Sequence, residues 1–140
     1  MKTLIRKAVI AFLLLASVQA AFAQQVKYQQ FMESEELLVE YRWQHERVLR
    51  KSGNAILNLQ VTNMLETPLE ISFTVAFYRD GQLVFESDEN VYCFKPGQRR
   101  RGGRAGLRYY VDGWSMEDVK KENFSWDMLI DDIRKVPACE

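Results

Sequence analysis

The sequence is short of the residues that most catalytic and metal-binding sites use. It has one histidine, His45, and two cysteines, Cys93 and Cys139. A zinc site of the usual kind draws its ligands mainly from several histidines and cysteines. No G-x-S-x-G motif is present, and Gly97 and Gly102 are not followed by the Lys and Ser/Thr that a phosphate loop requires. We therefore predict no catalytic residue, no metal and no cofactor.

Long apolar runs are also missing, except near the start of the chain. Three basic residues and no acid occupy the first seven positions, followed by an apolar run at residues 8–16 and the triplet Ala21-Phe22-Ala23. This order is typical of a secretory signal with its cleavage site. The run is too short for a spanning helix, which needs ~20 apolar residues. We predict that residues 1–23 are a signal peptide that is removed, and that the rest is exported, periplasmic or extracellular, and not membrane-spanning.

No strong excess of charge of either sign is present. Nineteen Lys and Arg balance nineteen Asp and Glu, and three of the basic residues lie in the signal. The remaining 117 residues, 140 minus 23, therefore carry a formal charge of −3, sixteen basic against nineteen acidic. A mildly acidic exported chain is not expected to bind nucleic acid. Its length suits one domain, which we place at residues 37–140 after a polar N-terminal segment, residues 24–36.

Most of this domain alternates between apolar and polar residues, which is the period of a β-strand. Asp80-Gly81 is a strong hairpin signal, and Pro96-Gly97 predicts a type II turn. Short strands with such regular turns predict an all-β protein, a β-sandwich of six to seven strands. The positions predicted to face inward include Leu37, Val39, Tyr41 and Trp43; Leu57, Leu59 and Val61; and Leu69, Ile71, Phe73, Val75 and Phe77.

Two segments after Gly113 carry weaker signals. Ser115 and Asp118 have the spacing of a capping box, which predicts a short helix near residues 115–122. Residues 125–136 fit a helix through Trp126, Leu129, Ile130 and Ile133, and fit a strand through Trp126, Met128 and Ile130. We favour the strand, because a terminal helix would leave one edge of the sandwich bare.

The two cysteines predict a disulfide. An even number of cysteines in an exported chain indicates pairing, and the separation of Cys93 from Cys139 does not fit a Cys-x-x-Cys motif or a metal pair. Such a bond would attach the C-terminus to the body of the domain.

Several motifs between residues 57 and 107 match those of one type of secreted module. They are Val61-Thr62-Asn63 before a turn, the aromatic strand Ile71–Tyr78, Asp80-Gly81, and Lys95-Pro96-Gly97-Gln98. In these features the chain resembles bacterial secreted immunoglobulin-like modules, the FxLYD-like domains among them. The resemblance implies that the sandwich is an immunoglobulin-like Greek-key β-sandwich and that the protein has an adhesive or accessory role, and it carries over no catalytic residue.

The segment at residues 99–108 is unusually basic for an acidic protein. Arginine binds carboxylate, phosphate or sulfate with two parallel hydrogen bonds, so the segment predicts an anion-binding loop. Its partner would be an anionic glycan, a phosphate-bearing lipid or an acidic protein surface. The alternative is a solvated loop that protects a sheet edge, or one that pairs with the acids at positions 117, 118 and 122. The candidate anion-binding residues are Arg99, Arg100, Arg101, Arg104 and Arg108.

Tyrosines flank these arginines, and alternation places Tyr109 and Tyr110 on opposite faces, so part of this aromatic set must face outward. His45 continues the inward-facing positions of its strand, so we interpret it as a residue at the rim of the core. Together these features favour a non-enzymatic binding or accessory module. The alternative is a small secreted enzyme or enzyme inhibitor whose site is built from loops.

Overall fold

The computed structural model describes residues 27–140, which are mostly β-strand. The predicted signal peptide lies outside the described residues. Within them, two single-turn 3-10 helices occur, Gly103–Ala105 and Asp118–Lys120. The strands are β1 (Gln29–Glu33), β2 (Leu37–Arg47), β3 (Ser52–Asn63), β4 (Leu69–Arg79), β5 (Gln82–Glu86), β6 (Asn90–Phe94), β7 (Arg99–Arg101), β8 (Arg108–Tyr109) and β9 (Phe124–Lys135).

The nine strands form two antiparallel sheets and occupy seven strand positions in them. We call each such position a path, because two short strands in succession can share one. β5 and β6 pair with successive halves of β4, so they form one interrupted path, and β7 and β8 do the same along β3. The first sheet has the order β1, β2, β3, β7/β8, and the second has the order β9, β4, β5/β6. β7/β8 and β9 return to lie beside strands much earlier in the chain, as Greek-key connections require. The predicted all-β sandwich is confirmed.

The core lies between the two sheets and is built from the predicted inward positions. Strand pairing in register places the odd-numbered residues of β2 and β3 on the same face of the first sheet. The odd-numbered residues of β4, in the second sheet, are buried from Leu69 to Phe77. Three phenylalanines, Phe73, Phe77 and Phe94, are the largest of the fully buried side chains. The other fully buried apolar residues include Leu37, Val39, Leu57, Leu59, Val61, Leu69, Ile71, Val75 and Leu107.

The two turns predicted from glycine are present. Asp80 and Gly81 have φ values of 52° and 74°, as the two-residue hairpin between β4 and β5 requires. Gly97 has φ 65°, and the Gln98 N–H donates to the Lys95 carbonyl at 3.0 Å. This geometry fits the type II turn.

The ambiguous segment near the C-terminus is a strand, as favoured from the sequence. β9 pairs with the whole of β4, with Trp126 opposite Phe77 and Met128 opposite Val75. A bulge shifts the register between Ile130 and residue 132, so that Ile133 lies opposite Ile71. The three-residue spacing of Ile130 and Ile133 arises from this bulge, because the extra residue turns Ile133 back towards the core. Leu129, which also fitted the helical pattern, is exposed.

The helix predicted near residues 115–122 is reduced to a single 3-10 turn, Asp118–Lys120. The capping box is present: the Ser115 N–H donates to Asp118 Oδ2 at 2.9 Å, and the Asp118 N–H donates to Ser115 Oγ at 3.3 Å. Lys121, which binds the Asp118 carboxylate and helps to lower its pKa, is already extended. The turn stops there because Phe124 begins β9 and packs against Trp114 and Trp43.

The polar segment before Leu37 contributes an edge strand. β1 pairs with β2, and the Tyr41 hydroxyl donates to Gln29 Oε1 at 2.8 Å. Phe31 stacks on Trp126, with ring centroids 4.5 Å apart. The first sheet therefore begins earlier in the chain than the alternating pattern indicated.

The predicted disulfide joins Cys93 to Cys139, with Cα atoms 5.5 Å apart. Cys93 lies on β6 and Cys139 follows β9, so the two cysteines come from paths on opposite edges of β4. The Val136 N–H donates to the Pro68 carbonyl at 3.1 Å, which guides the C-terminal residues across the start of β4. The bond therefore attaches the C-terminus to the body of the sandwich.

Candidate anion-binding face

The strand register separates the five candidate arginines. Residues directly opposite each other in an antiparallel pair lie on the same face. Arg99, Arg101 and Arg108 lie opposite Thr62, Gln60 and Asn58 of β3, respectively, and are exposed on the outer face of the first sheet. We call these three residues the arginine row.

The other two arginines lie elsewhere. Arg100 is opposite Val61, a core residue, and its guanidinium lies 5.3 Å from the centroid of the Phe94 ring. Its side chain therefore covers the edge of the core. Arg104 lies in the 3-10 turn between β7 and β8 and is exposed. The structure thus brings three of the five candidate residues together on one surface.

The loop between Gly102 and Leu107, which we call the excursion, aligns Arg108 with Arg99 and Arg101. Leu59 accepts a hydrogen bond from the Gly102 N–H at 3.1 Å and donates its own N–H to the Leu107 carbonyl at 2.9 Å. Both ends of the excursion therefore meet the same residue of β3, and Gly102 and Gly106 supply the positive φ values of 64° and 72°. Arg108 consequently takes the next outward position after Arg101, although the two are seven positions apart in sequence.

The arginine row is evenly spaced. Its members lie opposite β3 residues that are two positions apart, which corresponds to about 6.7 Å along a strand. The row is therefore about 13 Å long from Cα to Cα. Arginines whose Cα positions recur at a regular interval on one face match a ligand that repeats its negative charge along a chain.

A row of buried polar side chains lies beside the arginines. Asn58, Gln60 and Thr62 point to the outer face of β3, yet they are only 5%, 4% and 8% exposed. The alternation predicts that this face is wet, and the structure differs because longer side chains on both neighbouring strands flank it. Asn58 Nδ2 and Thr62 Oγ1 have no hydrogen-bond partner, although buried polar groups are normally paired.

The charge of this face is unevenly distributed. Arg42 lies opposite Asn58 with its guanidinium 4.8 Å from the Tyr28 ring centroid, and its buried Nε has no partner. Glu40 lies opposite Gln60 and accepts a hydrogen bond from its amide. Among residues 27–140, no carboxylate forms an ion pair with the arginine row. Pairing with the acids at 117, 118 and 122 is therefore not observed, while edge protection remains an alternative for β7.

Three tyrosines lie near the arginine row, and one of them, Tyr92, binds the excursion. Tyr109 is buried and Tyr110 is 49% exposed, as predicted from alternation. The Tyr92 hydroxyl donates to the Gly106 carbonyl at 3.1 Å, and its ring stacks on Phe73. Burial raises the pKa of both Tyr92 and Tyr109.

The buried tyrosines predict a loss of stability in alkali. The folded chain holds the hydroxyl protons more tightly than the unfolded chain, so the contribution of these tyrosines to stability is fully present below the ordinary tyrosine pKa of 10.0 and is lost as the pH rises above it. The Tyr109 hydroxyl lies beside the Tyr92 hydroxyl, which also contributes to its raised pKa, but it forms no hydrogen bond of ordinary geometry. Tyr109→Phe should therefore cost little at pH 8 and should weaken the fall. Urea unfolding at pH 8 and pH 11 measures the free energy of unfolding of each variant and therefore both the cost at pH 8 and the fall towards pH 11. Tyr110→Phe is the control, and a parallel fall in wild type and Tyr109→Phe would contradict the prediction.

The sequence does not identify several polar residues of this face as part of a site. Alternation places Asn58, Gln60 and Thr62 on the solvent side of one strand and Arg42 on the solvent side of another. The one sequence signal for this row is the alternation of Asn58, Gln60 and Thr62 on the same side of a strand. The neighbouring sequence does not show that a row of arginines lies beside them.

His45 is half-buried on β2, opposite Ala55. In residues 27–140, no three His, Cys, Asp or Glu side chains are grouped closely enough to hold a metal ion. No helix in that part of the chain is long and apolar enough to cross a membrane.

Comparison with known proteins yields no relative. No protein-family model matches the chain, and neither a curated protein nor a solved structure matches it.

Proposed function

We propose that this chain is an exported, non-enzymatic binding module that holds a linear anionic glycan along the arginine row. The even spacing of Arg99, Arg101 and Arg108 on one exposed face carries the proposal. Export is supported by the signal-like residues 1–23 and by the disulfide, since disulfides persist mainly in oxidising compartments.

The chemistry of the row suits repeated carboxylate or sulfate groups. Each guanidinium can donate two parallel hydrogen bonds to such a group. The row lies on an edge path of its sheet, so an extended ligand can lie along the strand without meeting another strand. The missing ion pairs leave these guanidinium groups available to a ligand.

Two further features favour a glycan over the other anionic partners. The unpaired Asn58 amide and Thr62 hydroxyl lie beside the row and could bind sugar hydroxyl groups once an arginine side chain moves aside. Tyr110 is the next outward position after Arg108 and is half-exposed, so it offers an aromatic face at the end of the row. An aromatic ring beside arginine is a common composition of recognition surfaces.

A matched pair of variants tests whether position or mere charge is responsible. Arg101→Ser and Arg104→Ser remove the same charge from exposed sites, but only Arg101 belongs to the row. We expect Arg101→Ser to weaken heparin binding at physiological salt about tenfold, since hydrogen bonds between charged groups are worth roughly 1.5–3 kcal/mol. Arg104→Ser should change it about twofold at most. Equal losses would show unspecific attraction and would contradict the proposal.

The class of ligand is tested with three soluble polyanions. Heparin, polyphosphate and polyglutamate present sulfated sugar, phosphate and carboxylate peptide groups, respectively. We expect heparin to bind most tightly and to be the most sensitive to Tyr110→Ala. Tighter binding of polyphosphate or polyglutamate would overturn the glycan assignment, and no binding of any of the three would end the proposal.

A further inference from the structure

The hairpin between β2 and β3 ends in two exposed apolar residues. Residues 48–51 form the turn, and within it Leu49 is 100% exposed and Val48 is 58% exposed. No other large apolar residue in the described chain is as exposed as Leu49. Neither side chain folds back onto the sandwich, so both point into solvent.

Basic residues surround this apolar tip. Arg47 precedes it, and Arg50 and Lys51 follow it. The nearest acid, Glu46, is already engaged, because its Oε2 accepts the Asn54 N–H at 3.0 Å. No carboxylate in residues 27–140 forms an ion pair with the three basic side chains. We call residues 47–51 the basic apolar tip.

The backbone holds the tip in a defined shape. The Lys51 N–H donates to the Val48 carbonyl at 3.3 Å, and Lys51 has φ 49°. Gly53 has φ 85°, and a Cβ at that position would lie 2.7 Å from Glu46 Oε2. Because the turn is closed by its own hydrogen bond, it presents Val48 and Leu49 without first having to order the backbone.

From this arrangement we propose that the basic apolar tip docks the protein onto an anionic lipid bilayer. Val48 and Leu49 would enter the boundary between headgroups and acyl chains, as apolar side chains of interfacial segments do. Arg47, Arg50 and Lys51 would contact the lipid phosphates, where each cation is attracted to the negative surface. A second copy of the chain fits less well, because it would bring three like charges against three.

This docking site is separate from the arginine row. The tip joins β3 at Ser52, whereas the nearest member of the row lies opposite Asn58. Six residues of strand correspond to about 20 Å. The two proposals therefore stand or fall independently, and the protein could hold a glycan while the tip contacts a bilayer.

The expected attachment is weak and reversible. Two apolar side chains alone are a poor anchor, and stable association needs a second signal such as a basic cluster. Binding should therefore require anionic lipid and should weaken as salt screens the charges. It should also be lost when either the apolar or the basic part is removed.

Sedimentation with lipid vesicles tests the proposal. The chain from Gln24 onward is used, so that the apolar run at residues 8–16 cannot insert. We expect it to bind vesicles of phosphatidylglycerol and phosphatidylcholine, but not vesicles of phosphatidylcholine alone. The double variant Val48→Ser/Leu49→Ser should lower the partition coefficient at least about tenfold. Val91→Ser, which changes an exposed valine on β6 (62% exposed), is the matched control and should bind like wild type.

A fluorescent reporter checks the depth of insertion. In Leu49→Trp, the emission added to that of the three native tryptophans should shift to the blue when anionic vesicles are added. Three results would overturn the proposal. They are no binding by the wild-type chain at low salt, undiminished binding by the double serine variant, and loss of binding on changing the arginine row to serine. A change in oligomeric state of the double variant without lipid would instead assign the tip to a second copy.

Discussion

Asn63→Ala is expected to lower the free energy of unfolding by roughly 3–5 kcal/mol, because it leaves several buried backbone groups without partners. The Asn63 side chain is fully buried. Its two Nδ2 hydrogens face three carbonyls, those of Thr67 at 2.9 Å, Lys95 at 3.1 Å and Phe94 at 3.3 Å, so one hydrogen is shared between two acceptors. Its Oδ1 accepts the Leu65 N–H at 2.9 Å. One amide therefore ties the end of β3 to the turns before β4 and before β7.

The effect should be large because these bonds connect the two sheets at one end of the sandwich. β3 belongs to the first sheet, and Phe94 ends β6 in the second. A loss of this size is a large fraction of the roughly 5–15 kcal/mol that stabilises a typical domain. Urea unfolding followed by circular dichroism measures it, with the slope checked for two-state behaviour.

Two further variants separate hydrogen bonding from packing. Asn63→Asp keeps the shape of the side chain but turns a carboxylate oxygen towards three carbonyls, so it should destabilise at least as much as alanine. Asn58→Ala removes a buried asparagine of the same strand whose Nδ2 has no partner. It should cost about 1 kcal/mol or less, because no buried partner is left unsatisfied. Equal costs for Asn58→Ala and Asn63→Ala would show that packing, and not the hydrogen bonds, is responsible.

Breaking the disulfide is the second change expected to have a large effect. Cys93 and Cys139 are separated by 46 residues, and closing a loop of that size is worth about 4 kcal/mol in the chain-entropy model. Cys93→Ser should therefore lower the melting temperature by roughly 10 °C or more. The strands at greatest risk are the two paths on either side of β4, since the bond connects them.

Thermal melting with and without reductant measures this effect. Cys139→Ser should match Cys93→Ser, and the double variant should match either single variant, because all three remove the same bond. Wild type in reductant should have the same melting temperature as the single variants. Identical melting of the oxidised and reduced wild-type chain would show that the bond does not constrain the fold.

Much of the architecture could be predicted from the sequence. The alternation from Leu37 to Phe77 identified the inward face of three strands, and Asp80-Gly81 located the hairpin between β4 and β5. These features are local, since the pleat of the backbone sends successive side chains to opposite faces wherever a strand forms. The cysteines could be paired because they are the two in the chain.

The composition of the candidate site could not be predicted in the same way. Five arginines within ten residues looked like one basic loop, but Arg100 covers the core while Arg99 and Arg101 face outward. Arg108 joins them because the excursion between Gly102 and Leu107 returns to the same residue of β3. Which side chains meet across a sheet depends on the register between strands that are distant along the chain. That register is set by long-range pairing and packing, which no short stretch of sequence contains.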